Sequence, residues 1–355
     1  VVDEDAAESL KETARELRRE YCIAVQGTVR SRPDSMVNPE MATGDIEVAA
    51  DMLQILTTCE PLPFPIDERS EAKEELRLTY RYLDLRSFSM QRKIKLRADA
   101  TFAVREYLTG RGFMEIETPS MIKSTPEGAR DFLVPSRIHP GRFYALPQSP
   151  QLFKQILMVS GFDRYFQIAH CFRDEDARGD RQPEHSQIDM EMSFVSKEEV
   201  FEVVEGMMSH VFKQALDIDL EIPFTRLSYK DAMNLYGSDK PDLRYGLEMQ
   251  DFSAIAEKSG FNAFKNVVKE GGSAKILVAP ECGGYSRKEI DELESAAKVY
   301  GAKGLAWMKV TDEGLDGGVA KFFAEQSDEI LKTFGAKSGD LLLMVADQWD
   351  TACTS

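Results

Sequence analysis

The chain has 355 residues, of which 43% are hydrophobic and 30% are charged. This length predicts two or three domains with cores of their own, and the composition is ordinary for a soluble globular protein. A net charge of −17 argues against indiscriminate nucleic-acid binding, which needs local positive potential. No apolar run has the length of a membrane span and no signal peptide opens the chain, so we expect neither.

Two details qualify this composition. Between Arg77 and Arg105 the chain carries eight basic residues against two acidic ones, Asp84 and Asp99. This basic stretch is either a solvated helix face or a surface for RNA or a partner subunit, and composition leaves both open. The five cysteines are far apart, which predicts a reducing compartment and neither a disulfide framework nor a zinc site.

The first 75 residues read as a small β-rich domain followed by a linker. Residues 5–20 have alanine and leucine at helical spacing, and residues 21–29 and 44–56 alternate as strands do. Prolines and a charge cluster mark 60–75 as linker sequence.

A long helix follows, and a strand comes after it. Met90, Ile94, Ala98 and Phe102 step one helical turn at a time, and Gly110 lies near the end. The next segment, 113–119, alternates like a strand and stops at a proline.

A loop and a short helix come next. Residues 124–131 have loop composition, and Ser149 with Pro150 predicts the start of a helix that ends at Gly161. Gln151 and Lys154 then share one face, while another carries Leu152, Ile156 and Val159. A lysine near a helix N-terminus opposes the helix dipole, so we expect an anion close to Lys154.

The segment 165–194 predicts a hairpin with one apolar and one charged face. Residues 165–172 and 188–194 alternate, with Met190, Met192 and Phe194 among the apolar positions. The charged stretch between them, 176–186, reads as the connecting loop. The polar face carries Arg173, Glu175, Asp189 and Glu191. Such a face is either solvated and laced with weak ion pairs or a site for a ligand with charges of both signs.

The remaining chain predicts two more segments. Ser196 and Glu199 form a capping box before a helix, whose apolar stripe of Val200, Val204, Met207, Met208 and Val211 we assign to the core. From about residue 245 helices and strands alternate, with strands at 305–310 and 340–345 around a helix at 327–334. Glycine pairs in this part are too scattered for a phosphate loop.

The string FRDED followed by RQPEHSQID resembles motif 2 of class II aminoacyl-tRNA synthetases, in the form used by bacterial-type aspartyl-tRNA synthetases. Segment 113–119 is similar to their motif 1. The resemblance implies an α+β fold: an incomplete antiparallel-sheet catalytic domain over 76–244, with a partial OB-fold barrel at 1–62 before a linker at 63–75. It implies a small α/β insertion domain at 245–355.

The family's reaction is activation of L-aspartate by ATP, with Mg²⁺, and transfer to tRNA(Asp). By motif match Arg173 is the catalytic residue, bridging the α-phosphate and the reacting carboxylate, as a forked guanidinium can. The resemblance assigns ATP binding to Arg173, Glu175, Gln182 and His185. It assigns aspartate binding to Glu127, Gln151, Lys154, Arg173 and Asp189, with Lys154 on the substrate side chain. It implies no protein metal ligand, a homodimer through motif 1 around Pro119, and a cytoplasmic or organellar location.

Two departures from the family matter. The position that usually holds an adenine-stacking aromatic ring carries His185. Motif 3 would follow Ser355, so we expect this chain to be a fragment that is inactive alone. The alternative function is a non-catalytic synthetase-like module that binds tRNA or a protein. The sequence leaves charging of asparagine tRNA open.

Overall fold

The computed structural model describes residues 1–66, 71–125, 127–176, 179 and 182–355. Parts of the predicted linker at 63–75 and of the loops at 124–131 and 176–186 lie outside these ranges. The chain forms two compact units, Val1–Pro223 and Phe224–Ser355. The domain boundaries predicted from the sequence, after residues 62, 75 and 244, stay predictions. Within the described ranges, no helix combines the length and apolarity that crossing a membrane requires.

The first unit opens with the predicted helix and strand pair. Helix α1 spans Glu8–Glu16, and strands β1 (Cys22–Ser31) and β2 (Ile46–Thr57) form a two-stranded antiparallel sheet, with a 3-10 turn at Asp34–Met36 between them. Val29 pairs with Val48 in this ribbon, and both side chains are exposed. The order helix, strand, strand is confirmed, whereas the assignment to an OB-fold stays a prediction.

The predicted long helix is confirmed. After the short helices α2 (Glu74–Thr79) and α3 (Arg81–Asp84), α4 spans Phe88–Gly110. It begins where the Ser87 hydroxyl accepts a hydrogen bond from the Met90 amide at 3.4 Å. Strand β3 (Met114–Glu115) follows as a short piece of the predicted segment.

The next part of the unit differs from prediction in one detail. Strands β4 (Leu133–Pro135) and β5 (Phe143–Ala145) pair antiparallel, and α5 spans Gln151–Val159. Pro150, and not Ser149, occupies the N-cap, and the Ser149 hydroxyl donates to a carboxylate described below. The three apolar residues predicted on one face of α5 all have exposed side chains: Leu152, Ile156 and Val159.

The predicted hairpin is confirmed, with shifted ends. Strands β6 (Arg164–Phe172) and β7 (Glu184–Met192) pair antiparallel, and β3 pairs parallel with β6. Phe194 was predicted to extend the apolar face, but β7 ends at Met192. Phe194 has a left-handed φ of 56° and a fully exposed ring. A left-handed residue breaks the two-residue period, so its side chain leaves the face.

Helix α6 (Lys197–Leu216) has the predicted capping box of Ser196 and Glu199 and packs on α4. Between these helices and the hairpin lies the core of the first unit: Val104, Leu108, Phe113, Phe166, Val203 and Met207. The predicted stripe enters this core through Met207, Met208 and Val211, whereas Val200 is exposed.

The second unit is built on a single described sheet. Its elements in chain order are α7 (Tyr229–Tyr236), a 3-10 turn (Leu243–Tyr245), β8 (Met249–Asp251), α8 (Ser253–Lys258), α9 (Asn262–Lys269), β9 (Ser273–Ala279), α10 (Arg287–Val299), β10 (Ala306–Thr311), β11 (Gly314–Asp316), 3-10 turns (Ala320–Phe322, Ala324–Gln326), α11 (Ser327–Phe334), β12 (Leu341–Asp347) and α12 (Trp349–Thr354). The sheet order is β11-β10-β12-β9-β8. The predicted alternation of helices and strands is confirmed, and every strand pair is antiparallel. Its core includes Phe252, Ile276, Met308, Phe323, Ile330 and Leu342.

Candidate active site

The register of β6 and β7 determines which side chains share the polar face of the hairpin. Asp189 lies opposite Gln167, and Glu191 lies opposite Tyr165. Alternation then places the following residues on that same face: Tyr165, Gln167, Ala169 and Cys171 from β6, and His185, Gln187, Asp189 and Glu191 from β7. Asp189 and Glu191 were predicted on this face, and the pairing confirms them there.

Helix α5 brings a lysine over this face. The Lys154 ammonium lies 2.8 Å from Asp189 Oδ1 and 3.3 Å from Glu191 Oε2, and 12% of its side chain is exposed. Burial pushes the pKa of Lys154 down. The hydrogen bond and charge of Asp189, with Glu191, outweigh burial, so the pKa rises above its ordinary value. The anion expected near Lys154 is therefore present, and it is supplied by the protein itself.

One oxygen in this cluster has no partner. Asp189 is 7% exposed, and its Oδ2 is a buried side-chain oxygen without a hydrogen-bond donor among the described residues. A buried carboxylate oxygen without a donor is costly, and native structures keep few of them. A ligand that carries a positive charge or N–H groups would satisfy this atom.

Cys171 marks where the charged groups converge. Its thiol is fully buried and lies 3.3 Å from Gln187 Oε1. Burial raises the pKa of Cys171 to about 11. The charges of Arg173, Asp189, Glu127 and Lys154 also act on the thiol, the positive ones lowering its pKa and the negative ones raising it. Four of the predicted site residues are therefore close enough to act electrostatically on one buried thiol.

Beside Asp189 lies a hydrogen-bonded group that the sequence analysis missed. The Tyr165 hydroxyl donates to Gln167 Oε1 at 2.9 Å, and the Thr118 hydroxyl donates to the same oxygen at 3.0 Å. Burial raises the pKa of the Tyr165 phenol, and the negative charge of Asp189 raises it further. The phenol therefore stays neutral near pH 7 and keeps its single hydrogen.

The loop before α5 supplies the fifth charge of the site. Glu127 accepts hydrogen bonds from the Ser149 hydroxyl at 2.7 Å and from the Thr125 hydroxyl at 3.2 Å. Gln148, which is 3% exposed, accepts from the Ala129 amide and donates to the Ala129 carbonyl. These bonds fix the loop on the start of α5, which explains why Ser149 is not a simple helix cap.

The residues predicted to bind ATP lie along the loop end of the hairpin. Arg173 is half-buried, and its backbone amide donates to the Pro183 carbonyl at 2.8 Å, which extends the hairpin ladder beyond β6. His185 is half-buried opposite Cys171. Glu175 and Gln182 are exposed at the loop end. Gln151 opens α5, where its amide donates to the Ser149 hydroxyl at 3.3 Å.

The residues that the structure describes include no group of three or more histidine, cysteine, aspartate or glutamate side chains placed to hold a metal ion.

The residues missed by the sequence analysis are neutral: Thr118, Gln148, Ser149, Tyr165, Gln167, Cys171 and Gln187. The sequence did carry a signal for the strand members, because each stands an even number of residues from Arg173 or Asp189 in the same arm of the hairpin and so shares its face. Thr118 and Gln148 carry no such local signal.

Comparison with known proteins gives a consistent family. The model of tRNA synthetases class II (D, K and N) matches residues 73–339. An aspartate–tRNA(Asp/Asn) ligase of Treponema denticola is 60% identical over 100% of this chain and 61% of its own length. An aspartate–tRNA ligase of Clostridium perfringens is 51% identical over 98% of this chain and 58% of its own length. The chain therefore spans about three-fifths of these curated relatives. A crystal structure assigned as an aspartyl-tRNA synthetase of Leishmania major shares the fold, with a TM-score of 0.53 at 24% identity over 61% of this chain and 43% of that one.

Proposed function

Since the chain belongs to the class II tRNA synthetases of the D, K and N group, we propose that it is part of an aspartate–tRNA ligase. In this proposal the protein activates L-aspartate with ATP to aspartyl-adenylate and transfers the aspartyl group to tRNA(Asp). One observation carries the proposal: the buried Asp189 Oδ2, which has no donor among the described residues, belongs to a carboxylate that pairs with a lysine in a cluster of mixed charge.

The charges of the pocket fit an amino-acid substrate. Lys154 and Arg173 are positive, and Glu127, Asp189 and Glu191 are negative, so the five groups sum to −1. An α-ammonium group would offset the negative charge at Asp189 and give its Oδ2 a donor, and the two carboxylates of the substrate would lie at Lys154 and Arg173. We assign Glu127, Gln151 and Asp189 to the substrate ammonium group. We assign Lys154 to its side-chain carboxylate.

Activation requires two anions to approach, the substrate carboxylate and the α-phosphate of ATP. A guanidinium can bind both through parallel hydrogen bonds, and we assign this role to Arg173. Glu175, Gln182 and His185 would hold the rest of ATP, with the His185 ring on adenine. Mg²⁺ would accompany the ATP phosphates and offset their charge.

The partners follow from the same proposal. Met114 and Met121, on either side of Pro119 in the chain, have exposed apolar side chains, which supports a homodimer through this segment. The Treponema denticola relative is named for both tRNA(Asp) and tRNA(Asn), and charging of each tRNA tests whether this protein has the same dual use. ATP and tRNA meet where translation occurs, so the compartment would be the cytoplasm or an organelle.

The test is aspartate-dependent exchange of pyrophosphate into ATP. The assay would use a chimera in which this chain replaces the matching 61% of the Treponema denticola relative, with the unmodified relative as reference. We expect exchange that requires aspartate and that Arg173→Ala abolishes. A chimera that folds and binds tRNA but shows no exchange would favour the non-catalytic module. Assaying the chain alone beside the chimera tests the expectation that it is inactive by itself.

A further inference from the structure

We propose that Tyr165 is a positioning residue of the amino-acid pocket, which acts on Asp189 and is itself held by Gln167 and Thr118. This inference rests on the proposed function, because it concerns how the aspartate-binding carboxylate is placed. The assignment comes from the hydrogen bonds around Gln167 Oε1, where two hydroxyls converge.

These polar groups are buried, so their hydrogen bonds depend on one another. Tyr165 is completely buried, Gln167 is 9% exposed and Asp189 is 7% exposed. Polar groups so deep in the protein lack free access to water, so each depends on its protein partners. Removing one of these groups therefore changes the hydrogen bonding of its neighbour.

The single hydrogen of Tyr165 decides the state of Asp189. A phenol can donate only once, and the 2.9 Å bond to Gln167 Oε1 uses that hydrogen. Asp189 is a second acceptor for the same phenol, because both its charge and a side-chain hydrogen bond with it raise the pKa of Tyr165. With the hydrogen on Gln167, Asp189 Oδ2 has no donor among the described residues. The pocket is thus arranged with its carboxylate oxygen open for a cationic group of the substrate.

Gln167 can support the opposite arrangement as well. Rotating its amide by half a turn exchanges Oε1 and Nε2, so that the amide donates to both hydroxyls. Tyr165 is then free to donate to Asp189. The hydrogen-bonded group from Thr118 to Asp189 therefore has two arrangements in which the hydroxyls and the Gln167 amide all have partners. A donor that binds to Asp189 Oδ2 favours the arrangement described here.

The other end of this hydrogen-bonded group is Thr118. Thr118 and Gln167 line a cavity of about 490 Å³, together with Pro119 and Arg105, and its described lining includes none of Lys154, Asp189 and Glu191. A substitution of Thr118 therefore tests the state of Asp189 without changing a residue assigned to bind aspartate.

The first variant is Tyr165→Phe in the chimera described above, which removes the hydroxyl and keeps the ring. We expect the KM for aspartate in pyrophosphate exchange to rise about tenfold, with the KM for ATP unchanged. A role confined to folding would lower the melting temperature or the active fraction and leave both KM values as they are. Tyr107→Phe is the matched control. The Tyr107 hydroxyl, on α4, accepts a hydrogen bond from Arg111 and not from a residue assigned to the site.

The second variant tests the route through Gln167. Thr118→Val should raise the KM for aspartate by a smaller factor, and Thr118→Ser should restore it, because serine keeps the hydroxyl. In the double variant of Tyr165→Phe with Thr118→Val, the KM should equal that of Tyr165→Phe alone, since the second change acts only through the first.

The outcomes separate the two proposals. If the parent chimera shows no aspartate-dependent exchange, the proposed function fails before Tyr165 is tested. If the parent is active and Tyr165→Phe leaves the KM for aspartate unchanged, the positioning role is refuted. Multiplicative effects of Tyr165→Phe and Thr118→Val would likewise refute the connection between them.

Discussion

Two lysines with little exposed surface, one in each unit, have different surroundings. Lys154 in the first unit contacts the carboxylates of Asp189 and Glu191. Lys275 in the second unit, 5% exposed, donates to the neutral Asn234 Oδ1 at 2.9 Å. Trp349 donates to that same oxygen at 2.8 Å. Lys154 therefore lies among charged side chains, whereas Lys275 shares a neutral amide acceptor with the Trp349 indole.

The difference concerns what remains unsatisfied. Beside Lys154 the Asp189 Oδ2 has no donor, whereas around Lys275 no buried side-chain oxygen or nitrogen lacks a partner in the described part of the chain. Burying charge is costly, and a fold keeps an unbalanced cluster where a ligand completes it. This contrast supports a binding role for the charged cluster of the first unit and a packing role for the polar group of the second.

The largest expected effect is the loss of aspartate activation on removing Lys154. In the chimera, Lys154→Leu should lower kcat/KM for aspartate by about a thousandfold, because the substrate side-chain carboxylate loses its counter-charge. The KM for ATP should stay within about twofold, since Lys154 lies with Asp189 and not at the loop end of the hairpin. Pyrophosphate exchange at varied aspartate and varied ATP measures both.

Lys275→Leu is the matched control for this variant. It removes a lysine of similar burial and should leave kcat/KM for aspartate unaltered. If both substitutions lowered aspartate activation equally, the contrast between the two lysines would have no functional meaning.

The second expected effect is on stability. Lys154→Met leaves two carboxylates without their shared cation, so we expect the first unit to lose about 3 kcal/mol of unfolding free energy. Lys275→Met should change the second unit by less than about 1 kcal/mol, because Asn234 keeps the Trp349 donor.

Both tryptophans, Trp307 and Trp349, belong to the second unit. Urea unfolding followed by tryptophan fluorescence therefore reports that unit, and circular dichroism reports both. A larger loss for Lys275→Met than for Lys154→Met would reverse the comparison.

A third expected effect is a loss of stability in alkali. Burial raises the folded-state pKa of Cys171 to about 11, above the usual 9.0. Its contribution to stability is then fully present below pH 9 and is lost as the pH rises toward 11. Tyr165, whose pKa is also raised by burial, acts in the same direction. Circular dichroism should show the first unit unfolding at lower urea at about pH 10.5 than at about pH 8.

Cys171→Ala should reduce this alkaline loss, and Cys22→Ala should not, because Cys22 is exposed. An unchanged alkaline loss in Cys171→Ala would mean that the thiol does not drive it.

The sequence predicted what depends on local period. Alternation along 188–192 placed Asp189 and Glu191 on one face, because period two holds in a strand whatever its partner. The dipole argument predicted an anion at Lys154, and Asp189 is that anion. Two features could not be predicted: the bond from Ser149 to Glu127 at the start of α5, which joins residues far apart in the chain, and the missing donor of Asp189 among the described residues, which depends on Tyr165 donating to Gln167.

The smallest expected effect concerns adenine and His185, at the end of the polar face farthest from Glu191. The His185 ring is half-buried opposite Cys171, in a position that in the resembled family usually carries an aromatic ring. His185→Phe offers adenine a larger apolar ring, so we expect ATP to bind about 1 kcal/mol more tightly, without any change in the KM for aspartate. His185→Ala should weaken ATP binding by a similar amount, and equilibrium titration of the chimera with ATP measures both. Equal ATP affinity in all three proteins would remove His185 from the nucleotide site and leave it a strand residue beside Cys171.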